Sequence, residues 1–240
     1  GKVAGQSTPL SLSTSGGFSL NVTCGSLPPS KPAQRKPMSS NTSSDTSLTI
    51  MTASGDQIAQ WIDPVADLRI RVFREFPYLY AGDLSYERRY LQRYQQSADS
   101  VLVLARDADR VVGASTGLPM VNADTAFQAP FIAAGWDPAG LYYFGESVLL
   151  PDYRGHGIGH RFFDAREQAA RAQGFAVTTF CAVVRPADHP LKPADYRPHD
   201  VFWSKRGYQC RPDLECEFPW LDLGEEQETT KAMRFWVKEW

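Results

Sequence analysis

The residues best suited to chemistry are the glycines and histidines of YRGHGIGH, residues 153 to 160. They follow LYYFGESVLL, an apolar run typical of a buried strand, and they precede a helical pattern. A glycine-rich turn at a helix start exposes successive backbone N–H groups at the positive end of the helix dipole. The segment therefore predicts a loop that can cradle a pyrophosphate.

Two common phosphate loops do not fit this spacing. The dinucleotide fingerprint G-x-G-x-x-G would need a third glycine at His160 if it began at Gly155, or at Phe162 if it began at Gly157. The Walker A loop needs Gly-Lys-[ST], which is absent from this stretch. A nicotinamide or ATP loop is therefore disfavoured.

A metal site is a third interpretation of the same stretch. His156, His160 and Asp164 are spaced four residues apart and could share a helix face, but neither an HExxH pattern nor a fourth ligand accompanies them. We therefore expect no metal. The cysteines form no CxxC pair, which favours a reduced protein; they are Cys24, Cys181, Cys210 and Cys216.

A different pattern, [QR]-x-x-G-x-[GA], is present as Arg154, Gly157 and Gly159 after LLPDY. In this context the stretch resembles motif A of the GCN5-related N-acetyltransferases (GNAT), which joins the fourth strand to the central helix. VFWSKRGY, residues 201 to 208, resembles the family segment F-[YW]-x-x-x-G-[FY]. The resemblance implies an α+β fold that binds acyl-CoA, with a mixed sheet of about six to seven strands and about four flanking helices.

The resemblance also implies which residues contact acetyl-CoA. Backbone amides of the glycine loop would bind the pyrophosphate, and the preceding strand would bind the pantetheine arm and stabilise the oxyanion of the reaction. The implied contacts are Arg154, Gly155, His156, Gly157, Ile158, Gly159 and His160 in the loop, and Val148, Leu149 and Leu150 in the strand.

Glu146 interrupts the apolar strand at a position where many family members carry a glutamate base. Transfer of an acetyl group to an amine requires removal of the amine proton, so the resemblance implies this role for Glu146. The alternative is a structural ion pair with an arginine on a neighbouring strand, because a buried carboxylate is costly unless it has a partner.

The proton donor for the leaving thiolate is where the chain departs from the family pattern. Trp203 occupies the position of the usual tyrosine, and an indole cannot supply a proton. Tyr196, in the preceding proline-rich loop, is the predicted substitute; Tyr208, Ser204, Cys181 and water are alternatives. The departure also leaves open a second function, a non-catalytic module that binds or senses acyl-CoA.

The predicted acceptor is a primary amine of a small molecule or peptide. The first two helices wall the acceptor site in the family, so Phe76, Tyr78 and Tyr80 are expected to line it. Asp83 and Glu87 could recognise a cationic amine, but ordinary surface charge is the simpler interpretation. The net charge of -2 disfavours nucleic acid as a partner. No stretch reaches the length of a membrane span, and a homodimer is left open.

Periodicity predicts the elements around the loop. A first strand, SLTIMTAS, precedes two helical patterns, the first broken or kinked at Pro64, and a hairpin turns near residues 107 to 109. A helical or irregular piece covers residues 126 to 134. After the loop we expect a helix that ends at Gly174, then a strand, then a short helix with Pro198 at its first position, and two final strands. The expected buried face of the long helix is Ile158, Phe162, Ala165, Ala169 and Ala172.

Residues 1 to 47 differ in composition, since 17 of them are Ser or Thr and their apolar residues show no period. They are interpreted as a leader, a tag or a transit-like segment, and residues 48 to 240 as the acetyltransferase-like domain. The expected location is the cytoplasm, or an organelle if the first segment is a transit peptide.

Overall fold

A computed structural model of the protein describes residues 48–240, so the segment interpreted as a leader lies outside the described residues. The described part forms one seven-stranded mixed sheet with five α-helices. This confirms the predicted α+β fold. No helix among residues 48–240 is both long and apolar enough to cross a bilayer.

The sheet has the strand order β1-β2-β3-β4-β5-β7-β6. Neighbouring strands are antiparallel except β4 and β5, which are parallel. The strands are β1 (Leu48–Ala53), β2 (Val101–Asp107), β3 (Arg110–Pro119), β4 (Leu141–Leu149), β5 (Val177–Val183), β6 (Gln209–Trp220) and β7 (Thr229–Glu239).

The helices follow the predicted order, with the piece near residues 126 to 134 as a fifth helix. They are α1 (Ile62–Phe73), α2 (Leu84–Gln96), α3 (Thr125–Ala133), α4 (Ile158–Ala172) and α5 (Asp200–Lys205). A 3₁₀ helix, Gly55–Trp61, runs directly into α1. Pro64 does not break the helix, because it lies in the first turn of α1, where its missing N–H is not needed.

The predicted buried face of α4 is only partly right. Its buried residues are Ile158, Phe162, Phe163, Arg166, Glu167 and Ala170, whereas Ala172 is exposed. Two charged residues are therefore buried where small apolar residues were expected. Arg166 is tolerated because its Nη1 donates to the carbonyls of Thr116 (3.3 Å) and Glu146 (3.0 Å). Burial lowers the pKa of Arg166 to about 10.

The start of the short helix α5 also differs from the prediction. His199 is the N-cap residue and Asp200 the first helical residue, so Pro198 precedes the helix instead of opening it. A proline motif locates such a boundary only to within a residue or two. At the other end of α4, Gly174 has φ +86° and donates its N–H to Arg171, as a glycine that ends a helix does.

Two features of β4 determine the position of the site. First, β4 and β5 pair only at their starts, Leu141–Tyr143 with Val177–Thr179, so a gap opens between their later halves. Second, β4 bulges opposite Thr116, where its register with β3 shifts. Phe144 and Ser147 both contact Arg166 of α4, whereas the residues between them turn toward the α2 side. The bulge therefore presents Gly145 and Glu146 together on the α1/α2 face.

Candidate active site

The glycine loop adopts the conformation that its glycines permit. Gly155 and Gly157 have φ +80° and +77°, in the left-handed region that favours glycine, and Gly157 is the N-cap of α4. The backbone N–H groups of residues 155 to 160 donate to no acceptor within the described part of the chain. Consecutive free amides at a helix N-terminus are suited to an anion such as a pyrophosphate.

Two side chains of the loop, those of Arg154 and His160, have protein partners. Arg154 donates from Nε to the carbonyl of Leu149 (3.1 Å) and from Nη1 to Glu75 (2.9 Å), just beyond α1. His160 packs on Phe202, with ring centroids 4.8 Å apart, and its Nδ1 lies 3.2 Å from Arg206. His156 is exposed.

Arg206 also donates to Asp164 at 2.7 Å, so a cationic side chain contacts two of the three residues weighed as metal ligands. Within residues 48–240 no group of three or more His, Cys, Asp or Glu side chains is arranged to hold a metal ion.

Of the three predicted strand contacts at the end of β4, one presents its amide to the gap beside β5. Leu150 donates its N–H to Val112 (2.9 Å) and accepts from the amide of Tyr153 (3.0 Å). Its backbone groups are therefore already bonded, which argues against the predicted contact of Leu150 with pantetheine. Backbone amides of an antiparallel strand point alternately to its two sides, so the amide of Val148, like that of Leu150, points toward β3. Leu149 is therefore the predicted strand contact whose amide points into the gap.

Glu146 lies in a buried ionic cluster at the bulge. Its Oε2 is 2.7 Å from Nη1 of Arg69 on α1, and Nε of Arg69 contacts Glu87 of α2. The side chains of Glu87 and Glu146 are 1% and 2% exposed, so two buried carboxylates share one guanidinium. Burial opposes the charge of Arg69, but Glu146 and Glu87 outweigh it and hold the pKa of Arg69 well above its usual value. The arginine partner of Glu146 thus comes from a helix and not from a neighbouring strand.

The cluster overturns one interpretation and reveals residues that sequence reasoning missed. Glu87 is fully buried and not a surface charge, whereas Asp83 accepts the amide of Tyr86 (2.5 Å) as the N-cap of α2. The signal in the sequence that could have predicted the burial of Glu87 is its helical spacing from apolar residues. Glu87 stands in the same helical stripe as Leu91 and Tyr94, and a charge in an apolar stripe indicates a buried partner.

Two tyrosine hydroxyls of α2 meet the bulge. The Tyr90 hydroxyl donates to Oε2 of Glu146 (3.1 Å) and lies 2.9 Å from the Tyr94 hydroxyl. A Cβ at Gly145 would overlap the Tyr94 hydroxyl and come within 2.9 Å of the Tyr90 hydroxyl, so only glycine fits there. Burial, followed by the negative charge of Glu146, raises the pKa of Tyr90 well above its usual value, which keeps this phenol protonated. Oε1 of Glu146 is buried with no partner among the described residues.

The loop between α1 and α2 carries the three predicted acceptor contacts and is clamped to the β6–β7 hairpin. Arg185 donates to the carbonyls of Pro77 and Tyr78, both at 2.8 Å, and forms a two-point ion pair with Asp222. Tyr80 forms a β-bridge with Asp222. This clamp fixes the loop above the end of β5.

Phe76, Tyr78 and Tyr80 are placed differently within that loop. The Phe76 ring meets the Tyr196 ring edge-on, with centroids 4.7 Å apart, which brings two predicted site residues together. Tyr78 packs on Phe73 at 4.6 Å, and burial, then the Cys181 thiol, raise the pKa of Tyr78. The Tyr80 hydroxyl accepts the amide of Asp83 (3.2 Å), which holds this side chain at the start of α2.

Trp203 is packed in an aromatic cluster on α5. Its ring lies 5.0 Å from that of Phe180 and 5.2 Å from that of Trp236, both edge-on. Trp203 therefore serves packing in this chain. Tyr208, weighed as an alternative donor, is hydrogen-bonded to Thr178 and Glu167 beside α4 and is not part of the gap.

On the α1/α2 face, a cavity of about 250 Å³ opens between α2, the start of α3 and β6. Tyr90 lines it, so the hydroxyl that contacts Glu146 belongs to a residue at the cavity wall. The cavity is lined by Tyr86, Arg89, Tyr90, Arg93, Asp124 and Phe218.

The splayed strands, the bulge and the amide-rich loop define the fold class of an acyl-CoA N-acyltransferase. The family model of the acetyltransferase (GNAT) family matches residues 66–192, which span the cluster, the glycine loop and the gap. The chain belongs to the GNAT family. No curated protein matches it.

Solved structures with the same fold are distant in sequence. A protein of Acinetobacter baylyi described as a candidate acetyltransferase has a TM-score of 0.54 at 11% identity, and the match covers 81% of this chain and 94% of that one. A ribosomal-protein-alanine N-acetyltransferase from Brucella melitensis (0.50, 16%, covering 80% and 100%) and a polyamine N-acetyltransferase from Drosophila melanogaster (0.50, 11%, covering 80% and 100%) are similar. At these identities the likeness concerns the fold alone.

Proposed function

We propose that the protein is an acetyl-CoA-dependent N-acyltransferase that moves an acetyl group to a primary amine in a ternary complex. The observation that carries the proposal is the run of free amides at residues 155 to 160, at the head of the gap between β4 and β5. That gap leads from an anion cradle to the bulge with Glu146, which is the arrangement that direct transfer from a thioester requires. GNAT acetyltransferases use acetyl-CoA, and the left-handed glycines fit its pyrophosphate.

In the reaction the amine nitrogen bonds to the thioester carbon, the carbon–sulfur bond breaks, one amine proton leaves, and the thiolate takes up a proton. Glu146 is the predicted base, but its carboxylate is enclosed. The Tyr90 hydroxyl offers a relay: it can accept the amine proton as its own proton passes to Oε2 of Glu146. Arg69 holds that oxygen in place through a contact of 2.7 Å from its Nη1.

Stabilisation of the oxyanion falls to a residue of the gap, and protonation of the thiolate falls to a residue of the loop between β5 and α5. The Leu149 amide can donate to the carbonyl oxygen as negative charge develops. Tyr196 is the proposed donor to the thiolate. Burial, then the charge of Asp200, raise the pKa of Tyr196, so it carries its proton at neutral pH.

Two measurements test the proposal. Calorimetry should show that acetyl-CoA binds, and release of free thiol should occur with pooled primary amines. We expect Glu146→Gln, which keeps the shape of the side chain, to lower kcat about 10²-fold, as loss of a general base does. Glu217→Gln, on the exposed face of β6, is the matched control and should have the activity of the unmodified protein.

Failure to bind acetyl-CoA would refute the donor assignment. Tight binding without thiol release over the amine pool would instead favour the non-catalytic sensing module. Two observations support that second function: Trp203 replaces the usual tyrosine, and Glu146 is held in an ion pair.

A further inference from the structure

The cavity beside Tyr90 has a definite charge. Arg89 and Arg93 place two guanidinium groups in its wall, against the single carboxylate of Asp124. A cavity that binds a polycationic amine would be expected to have more carboxylates than guanidinium groups in its wall. The excess positive charge points to a negatively charged group on the ligand.

Four of the residues that line the cavity lie on one face of helix α2. Tyr86, Arg89, Tyr90 and Arg93 are spaced three and four residues apart, so they form one face of the helix. The buried stripe with Glu87, by contrast, packs toward the sheet. The segment YERRYLQRY therefore has two uses, core packing on one face and a wall of the cavity on the other.

Arg93 is held in place by an ion pair with Asp124 and keeps N–H donors for a ligand. Asp124 uses Oδ1 to accept the amide of Ala126 as the N-cap of α3, and its Oδ2 is 3.3 Å from Nη2 of Arg93. Arg93 is about one-third exposed and keeps further N–H donors. Arg89 is exposed and forms no ion pair with any of residues 48–240. The two guanidiniums can thus bind a carboxylate with charge-assisted hydrogen bonds.

One residue of the cavity wall, Tyr90, belongs to the proposed proton relay. Tyr90 contributes to the cavity wall and also donates to Glu146, so a ligand amine at Tyr90 would have its acidic group toward Arg89 and Arg93. Phe218 supplies an apolar wall; its ring is stacked on Phe127 with centroids 5.1 Å apart. The cavity of about 250 Å³ is about eight times the share of one liquid water, room for a small molecule.

We propose that this cavity selects an acceptor that bears a carboxylate as well as its amine, in the manner of a small amino acid. The inference rests on the proposed function and assigns its acceptor class. A diamine of the same length would place its second ammonium group against two guanidiniums, so it should be a poor ligand.

Matched ligands that differ at one end test the inference. The first set is 5-aminovalerate, 5-aminopentanamide and 1,5-diaminopentane; a second set is 4-aminobutyrate, its amide and 1,4-diaminobutane. Calorimetric titration into the full chain saturated with CoA measures affinity without turnover. We expect the acid to bind about tenfold more tightly than its amide in at least one set, as a hydrogen-bonded charge pair implies, and the diamine to bind most weakly.

Variants of α2 locate the effect. Arg89→Gln with Arg93→Gln should weaken the acid about tenfold and leave the amide unchanged, so the preference disappears. Arg88→Gln is the matched control, since Arg88 lies on the same helix and pairs with Asp63 outside the cavity. Far-UV circular dichroism and thermal unfolding establish that the double variant is folded; if it is not, Arg89→Gln alone, at an exposed position, should reduce the preference.

Equal binding of acid and amide, tighter binding of the diamine, no binding of any ligand, or a preference that survives in the variants would each overturn the inference. These outcomes are distinct from failure of the proposed function. A chain that acetylates amides and diamines as well as acids is an acetyltransferase without this selectivity. A chain that binds the acids selectively and never releases thiol has the subsite but not the activity.

Discussion

The glycine loop and the buried cluster around Arg69 hold charge in opposite ways. The loop uses backbone amides of consecutive residues, stays open to solvent and needs only left-handed glycines. The cluster uses side chains from α1, α2 and β4, of which Arg69 and Glu87 are 18 residues apart and almost fully buried. A site built from backbone tolerates change in its side chains, whereas a site built from shared buried charge depends on every member.

Removal of Arg69 should have the largest effect, because it breaks the cluster itself. Arg69→Met leaves Glu87 and Glu146 buried without a counter-charge, and breaking a buried pair in this way costs about 3–5 kcal/mol of the free energy of unfolding. Urea unfolding measures this loss. The control is Arg71→Met, whose exposed ion pair with Asp67 should contribute less than about 1 kcal/mol. Equal losses of unfolding free energy in the two variants would show that the buried cluster contributes no more to stability than an exposed ion pair.

Tyr196 tests whether the clamped loop and its surroundings supply a proton. We expect Tyr196→Phe to lower kcat up to about 10²-fold with little change in KM, as loss of a general acid does. Tyr78→Phe keeps the ring packed on Phe73 and should lower kcat less. Single-turnover thiol release compares the two variants. The reverse ranking would make Tyr78, and not Tyr196, the donor.

A substitution at Gly157 tests whether the backbone conformation of the glycine loop is needed to bind acetyl-CoA. Gly157→Ala forces an alanine into φ +77°, at a cost of about 1–2 kcal/mol, and relief of that strain should move the amides and weaken acetyl-CoA binding about tenfold. Gly135→Ala has the matching φ of +82° and open space where its Cβ would lie, but it follows α3 and is remote from the loop. It should lose similar stability and bind acetyl-CoA normally in the same calorimetric assay. Normal binding by Gly157→Ala would argue against the amide cradle.

The same contrast explains what the sequence could predict. The order of strands and helices depends on local periodicity, and the structure confirms it. The glycine loop is a contiguous motif, and it lies at the start of α4. The cluster depends on contacts between distant residues. A single charged residue such as Glu87 is normally exposed, and only its partner on α1 makes its burial tolerable.

Arg166, on the opposite face of the sheet, is a second charged residue whose burial depends on partners distant in the sequence. Its guanidinium is buried because carbonyls of β3 and β4 at the bulge accept its N–H groups, and one of those carbonyls belongs to Thr116, 50 residues earlier in the chain. Helical periodicity alone predicted alanines there. The family pattern singled out Glu146 on the strand before the glycine loop, but its enclosure by Arg69 and Tyr90 needed the three-dimensional structure.

The smallest predicted effect concerns His199, which responds to both burial and the glycine loop. Burial, then the positive charge of Arg154, lower the pKa of His199, and Asp200 opposes them. Since the unfolded chain then binds more protons, stability should fall as pH drops below about 6.5, the usual value for histidine, toward the lower folded pKa, and His199 should contribute no slope above it.

His199→Gln should therefore flatten the loss of unfolding free energy between neutral and mildly acidic pH, measured by urea titration at each pH. An anion bound at the loop would offset the charge of Arg154, so saturating CoA should also reduce this slope in the unmodified protein, but not further in His199→Gln. A slope unchanged by the substitution would separate His199 from the acid response. A slope changed by the substitution but indifferent to CoA would place the bound anion away from Arg154, and would weaken the assignment of the loop as the pyrophosphate site.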